Sequence, residues 1–204
     1  MSVSTLSPSA AATLVDVTRL RRLLTWSGTT VALGGAAWAL GTLIAPSTHT
    51  VNTTADMLGS LLGEIGLLAL LLVYRLTGAM GTGRRGRGAV AVGAVLVALE
   101  IAWTIPHVLA PNAQDSGILL ALDAACPLSA LWLIGLAVAV ARAGRWKGMD
   151  RWAPLAASLW LVACAVATAF GQETYVVVHT VWLLVTCAWL GRAAARAPLL
   201  LDRS

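Results

Sequence analysis

Residues 57–110, MLGSLLGEIGLLALLLVYRLTGAMGTGRRGRGAVAVGAVLVALEIAWTIPHVLA, hold two apolar runs of helix length on either side of a basic, glycine-rich break. Each run, Met57 to Thr77 and Gly88 to Ala110, has the roughly 20 residues that a helix needs to cross a hydrocarbon core. Neither shows the alternation of a barrel strand, so the expected fold is all-α. The break is flanked by Arg75, Arg84, Arg85 and Arg87. Cations beside a membrane helix are retained on the cytoplasmic side, which orients the pair.

The same unit recurs along the chain. Further apolar runs cover 23–45, 117–141, 152–171 and 175–192, giving six expected transmembrane helices. They form one domain, 22–196, between an N-terminal segment, 1–21, and a tail, 197–204. All fourteen Lys and Arg residues then fall on one side: Arg19, Arg21 and Arg22; the four above; Arg142, Arg145, Lys147 and Arg151; and Arg192, Arg196 and Arg203. The connections near 46–56, 111–116 and 171–174 hold none. The expectation is a multi-pass protein of a bacterial inner membrane, with both termini cytoplasmic and three connections facing outward. The stretch from Leu23 to Ala45 is unbroken, which favours an uncleaved anchor over a cleavable signal.

Composition agrees. With 58% hydrophobic and 11% charged residues, the chain has too little polar surface for a soluble domain. The net charge of +5 stands beside helix ends, where anionic lipid rather than nucleic acid is the expected partner. Cys126, Cys164 and Cys187 lie inside spans with no CxxC spacing, and HxxxH or HExxH patterns are absent, so neither a redox pair nor a metal is expected. Gly81 to Gly86 matches GxGxxG but has no preceding strand, which removes the dinucleotide reading. No lysine lies in a span, which excludes a retinal Schiff base, and no cofactor is expected. Thirteen Arg to one Lys and nine Trp to one Phe is the palette of a GC-rich genome.

Small residues supply helix contacts: Gly59 and Gly63 in the second span, and Gly28, Ala32 and Ala36 in the first. Pro106 and Pro127 are expected to bend the third and fourth spans. A short repeat places Ala37-Trp38 and Ala45-Pro46-Ser47 in register with Ala102-Trp103 and Ala110-Pro111-Asn112. Trp26, Trp146, Trp152 and Trp189 read as interfacial anchors, while Trp38, Trp103, Trp132, Trp160 and Trp182 lie deeper.

The chemistry-bearing residues are few. Three carboxylates fall inside spans, and an ionised acid in hydrocarbon costs at least about 2.5–3.5 kcal/mol, so such residues face the bundle interior. At about 1.5 Å per residue from the outward ends, Glu64 lies roughly 12 Å in, Glu100 roughly 15 Å and Asp123 roughly 10 Å. His107 and His179 sit near the same ends, and His49 in the first outward connection. Glu100, Trp103, Thr104 and His107 share one helical face, as do Tyr175, His179, Trp182 and Thr186. Ser60 joins Glu64, and Ser116 joins Asp123. The expected site is a polar, tryptophan-walled cavity open to the outside, with Glu64, Glu100, Trp103, His107, Asp123, His179 and Trp182 as ligand- or proton-binding candidates.

Such a cavity suits binding or transport of a small amphipathic, hydrophobic or cationic molecule, coupled to protons through the acids. An intramembrane enzyme donating a proton from Glu100 to an isoprenoid-like substrate uses the same ingredients. In a structural subunit of a membrane assembly, each acid would only join helices, at about 0.6 kcal/mol per hydrogen bond.

Overall fold

The computed structural model describes residues 8–47, 52–110 and 117–199, and all regular structure among them is helical. The helices are α1 (Pro8–Ile44), α2 (Thr54–Thr77), α3 (Arg84–Leu109), α4 (Gly117–Asp123), α5 (Ala125–Ala143), α6 (Ala153–Ser158), α7 (Trp160–Thr168) and α8 (Gln172–Ala195); a short 3-10 turn, Gly148–Trp152, precedes α6. Five segments are long and apolar enough to cross a membrane, and the α6–α7 pair would make a sixth if its two parts count as one. His49, Pro111, Asn112, Ser116 and Arg203 lie outside the described residues.

Helix α1 packs between α2 and α8, and glycine permits both contacts. Along α1 and α2, Gly41 meets Ala55, Gly59 meets Ala37, Gly34 meets Leu62 and Gly66 meets Thr30, so the two helices run antiparallel at close backbone approach. Against α8, Gly28 faces Gly191, Gly35 faces Cys187, and the Thr180 hydroxyl donates to the Ala39 carbonyl. A β-carbon on Gly28 or Gly191 would run into the other's carbonyl oxygen. Antiparallel neighbours continue through α3 and α5, where the Trp132 indole donates to the Ala89 carbonyl at 2.9 Å. The described cations gather at the end of the bundle opposite to the Ile44–Thr54 and Thr168–Gln172 connections.

Local signals set the helix ends. Thr53 caps α2 by accepting from the Asp56 amide, and Gly78, at φ 55°, ends it in a left-handed turn that satisfies the Arg75 and Tyr74 carbonyls. The first helix extends beyond its apolar run: α1 starts at Pro8 and runs through the basic cluster. At 37 residues it is about 55 Å long, well beyond the about 30 Å of hydrocarbon.

Two expected spans are interrupted. The fourth breaks at Ala124, where Pro127 cannot donate to the Asp123 carbonyl four residues earlier. The fifth bends by 44° at Leu159, with no proline at the break. There the Ser158 hydroxyl donates to the Leu155 carbonyl, and the Trp182 indole of α8 donates to the Ala156 carbonyl at 2.9 Å. The last carbonyls of a helix lack intrahelical donors, and Trp182 supplies one of them.

Trp146 is the anchor that the fold corrects. It is 2% exposed and meets Tyr74 edge-on at 5.9 Å, so it belongs to the packed core beneath the cation-rich end. Trp26 and Trp152 remain exposed.

Candidate functional site

One face of α3 addresses two acids. Glu100 and Thr104 are a helical turn apart, and the Thr104 hydroxyl reaches across to Glu64 on α2, donating to Oε1 at 2.6 Å. The Ser60 hydroxyl, one turn before Glu64, donates to the same oxygen at 3.1 Å. Glu100 accepts from the Ser129 hydroxyl of α5 at 2.5 Å. Both acids therefore join helices, and both are buried, Glu64 at 5% exposure and Glu100 at 8%.

They also share a cavity of about 60 Å³, walled by Trp38, Trp103 and Trp160. A water needs about 10–15 Å³ on this scale, so the space admits about four waters or a polar group of similar size. Asp123, at the end of α4, lines the same cavity but is exposed, which places it at the mouth. Two polar atoms of the lining residues are buried without a hydrogen-bond partner among the described residues: Glu64 Oε2, an acceptor, and Trp103 Nε1, a donor. A buried polar group left unmatched costs about 1–3 kcal/mol, so these two atoms call for a ligand or ordered water that both donates and accepts.

The histidines do not line this cavity. His107 is buried and stacks on Trp103 with ring centroids 4.1 Å apart, its Nδ1 2.8 Å from the Trp103 carbonyl oxygen. It supports the tryptophan. His179, at 1% exposure, sits among Trp38, Trp160 and Tyr175 with centroids 5.4–5.8 Å away. Neither of its ring nitrogens has a partner among the described residues. Trp182 is occupied by the broken helix, as described above. Among the described residues no three His, Cys, Asp or Glu side chains come together as a metal site.

Trp38 and Trp160 meet edge-on at 4.8 Å and divide the acid cavity from an apolar one of about 50 Å³ lined by Val31, Gly63, Leu70 and Leu183. The sequence repeat pairs Trp38 with Trp103, and both wall the acid cavity.

Asp56 is a buried acid that the span count passed over, because it stands one residue before the apolar run. The Thr42 hydroxyl donates to its Oδ1 at 2.5 Å and the Ser47 amide to its Oδ2 at 3.2 Å. Thr53 donates from its hydroxyl to the Ala45 carbonyl and from its amide to Ser47 Oγ. Asp56 thus latches the connection between α1 and α2. Ser129 was also passed over; a lone hydroxyl in an apolar run was its only signal.

Comparisons with protein-family models, with curated proteins and with solved structures find no match.

Proposed function

We propose that this chain is a small carrier or binding protein of a bacterial inner membrane, crossing it six times with both termini cytoplasmic. In this reading the polar or cationic head of a small amphipathic molecule enters past Asp123 and binds between Glu64 and Glu100. The observation that carries it is the unmatched pair among the residues lining one cavity: Glu64 Oε2 accepts from an ammonium or hydroxyl, while Trp103 Nε1 donates to an oxygen of the same ligand. The tryptophan faces favour a cationic head.

Proton coupling follows from charge. Two ionised carboxylates in one buried cavity repel, and either a proton or a cationic head relieves the repulsion. The two therefore compete, and binding of one releases the other. An isoprenoid chain fits less well, because the Trp38–Trp160 contact divides the available space into two small volumes.

Octylammonium titrated into nanodisc-embedded protein, with protein-free nanodiscs subtracted, tests the reading. Saturable binding is expected, weakened at least about 10-fold by Glu64→Gln, the scale of one charge-assisted hydrogen bond. Equal binding by wild type and the Glu64→Gln/Glu100→Gln double variant would refute a site at these acids.

A further inference from the structure

Beside the arginine-rich turn between α2 and α3, an open groove of about 340 Å³ runs between α3 and α5 and shares no lining residue with the acid cavity. Its origin is in the sequence. Ala89 on α3 and Gly135 and Ala139 on α5 carry too little volume to fill the space between the helices, and a β-carbon on Gly135 would meet nothing within 4 Å. The Trp132 indole ties the two helices across the groove by donating to the Ala89 carbonyl at 2.9 Å. From Trp132 to Ala139 the groove follows α5 for about 10 Å, at about 1.5 Å per residue. That is most of the apolar depth of one leaflet, which is half of a core about 30 Å thick.

The groove is apolar along its length and cationic at one end. Val92 and Val95 of α3 and Leu131 and Val138 of α5 are exposed, so this side of the bundle presents an apolar surface that belongs in hydrocarbon. Arg85 lines the groove where it meets the cation-rich end, and Arg84 and Arg87 stand in the same turn of α3. All three are exposed, none makes an ion pair among the described residues, and the first turn of α3 carries no acid. The N-terminus of a helix is itself positive, so these guanidinium groups add to its field instead of cancelling it. An occupant with an anionic head and an apolar tail matches both parts of the groove. A second copy of this chain does not. Two copies in one bilayer share an orientation, and a two-fold contact through this face would set their arginine clusters against each other at the same level.

We propose that the α3–α5 groove holds an acyl chain of one anionic phospholipid, whose phosphate lies on Arg85, with Arg84 and Arg87 adding charge. Basic sites between transmembrane helices suit anionic lipid head groups, and a chain seated in the groove keeps the head group beside the arginines. Guanidinium groups match the oxygens of a phosphate in particular. The site is independent of the acid cavity and of any ligand bound there.

The test uses the full chain in neutral-detergent micelles, with phosphatidylglycerol and phosphatidylcholine as separate probes read by native mass spectrometry. One phosphatidylglycerol per chain is expected, with phosphatidylcholine bound at least about 10-fold more weakly, the scale of losing the attraction of more than one juxtamembrane cation. Gly135→Leu fills the open space of the groove and leaves its charge alone; it is expected to weaken phosphatidylglycerol binding about 10-fold or more, on the scale of overpacking. Ala139→Leu plugs the groove one turn further on and should act alike, which separates plugging from a folding defect at either position. Arg85→Gln is expected to weaken binding about 5-fold, the scale of one such cation. Arg22→Gln removes equal charge from an exposed position on α1 outside the groove and should change binding less than about 2-fold, as expected for screened surface charge. Equal binding of the two lipids, no binding of phosphatidylglycerol to wild type, or binding unchanged by both plugs overturns the proposal. If Arg22→Gln weakens binding as much as Arg85→Gln, the attraction is diffuse and the groove is not a site. A dimer in the native mass spectrum that Gly135→Leu abolishes gives the groove to a second copy and overturns the proposal as well.

Discussion

The Thr104 hydroxyl donates to Glu64 Oε1 across 2.6 Å, so α3 fixes one oxygen of the acid on α2 while Oε2 has no partner among the described residues. Joining helices and offering a binding group are therefore tasks of different oxygens on one side chain. Thr104→Val, which keeps the shape and removes the donor, is expected to destabilise the bundle by about 0.6–1.7 kcal/mol, the range for interhelical hydrogen bonds in membranes. Denaturation in mixed micelles measures this. The Thr104→Val/Glu64→Gln double variant should lose less than the sum of the single losses, because both touch one bond; strict additivity would show that the bond contributes nothing.

Close approach of α1 and α8 rests on Gly28 and Gly191, whereas Gly135 on α5 has open space where a β-carbon would go. Gly28→Ala is expected to cost about 1–3 kcal/mol, as overpacking does. Gly135→Ala is expected to be neutral or stabilising by up to about 1 kcal/mol, from helix propensity alone. Thermal unfolding of the two variants side by side checks the packing; equal stability would mean that α1 and α8 do not meet through these glycines.

Sidedness is accessible to labelling. Cys126, Cys164 and Cys187 are the free thiols and are replaced by Ala to give a silent background. Thr53 caps α2, so the outward reporter is better placed at the neighbouring Asn52, with Thr82 in the exposed α2–α3 loop as its opposite. Asn52→Cys is expected to react with an impermeant maleimide added to intact cells, and Thr82→Cys only after lysis. The reverse pattern would invert the topology and make the acid cavity's mouth cytoplasmic.

How much of this was legible in the sequence follows from how local each signal is. Apolar runs, basic turns, and Glu100 and Thr104 on one helical face are visible within a few residues, and they locate the helices and two of the acids. The bend at Leu159 is not visible there, since no proline marks it and the Ala156 carbonyl just before it is satisfied by Trp182, more than twenty residues away. The same holds for His179, whose depth is readable but whose neighbours Trp38 and Trp160 come from other helices; His107 stacks on Trp103 one turn earlier, as their shared helical face implied. Asp56 stands one residue before the apolar run, so apolar length alone does not include it, although Thr53 three positions earlier is a capping signal that points to it.

Glu100 decides between a proton-handling site and a purely structural one. It accepts from Ser129 on α5, and Glu100→Gln retains an acceptor oxygen for that bond while removing proton exchange. The variant is therefore expected to insert and unfold like wild type, yet to show a weaker dependence of octylammonium binding on pH, with Glu64 alone left to titrate, and to bind the probe at least about 10-fold more weakly. Glu100→Leu removes both properties and is expected to lose stability as well, because the Ser129 hydroxyl keeps only the Cys126 carbonyl at 3.1 Å as its acceptor. The informative comparison is between the two variants. Should Glu100→Gln keep wild-type binding and pH response while Glu100→Leu alone is defective, the acid serves to join α3 to α5, and Glu64 would have to carry any proton coupling without it.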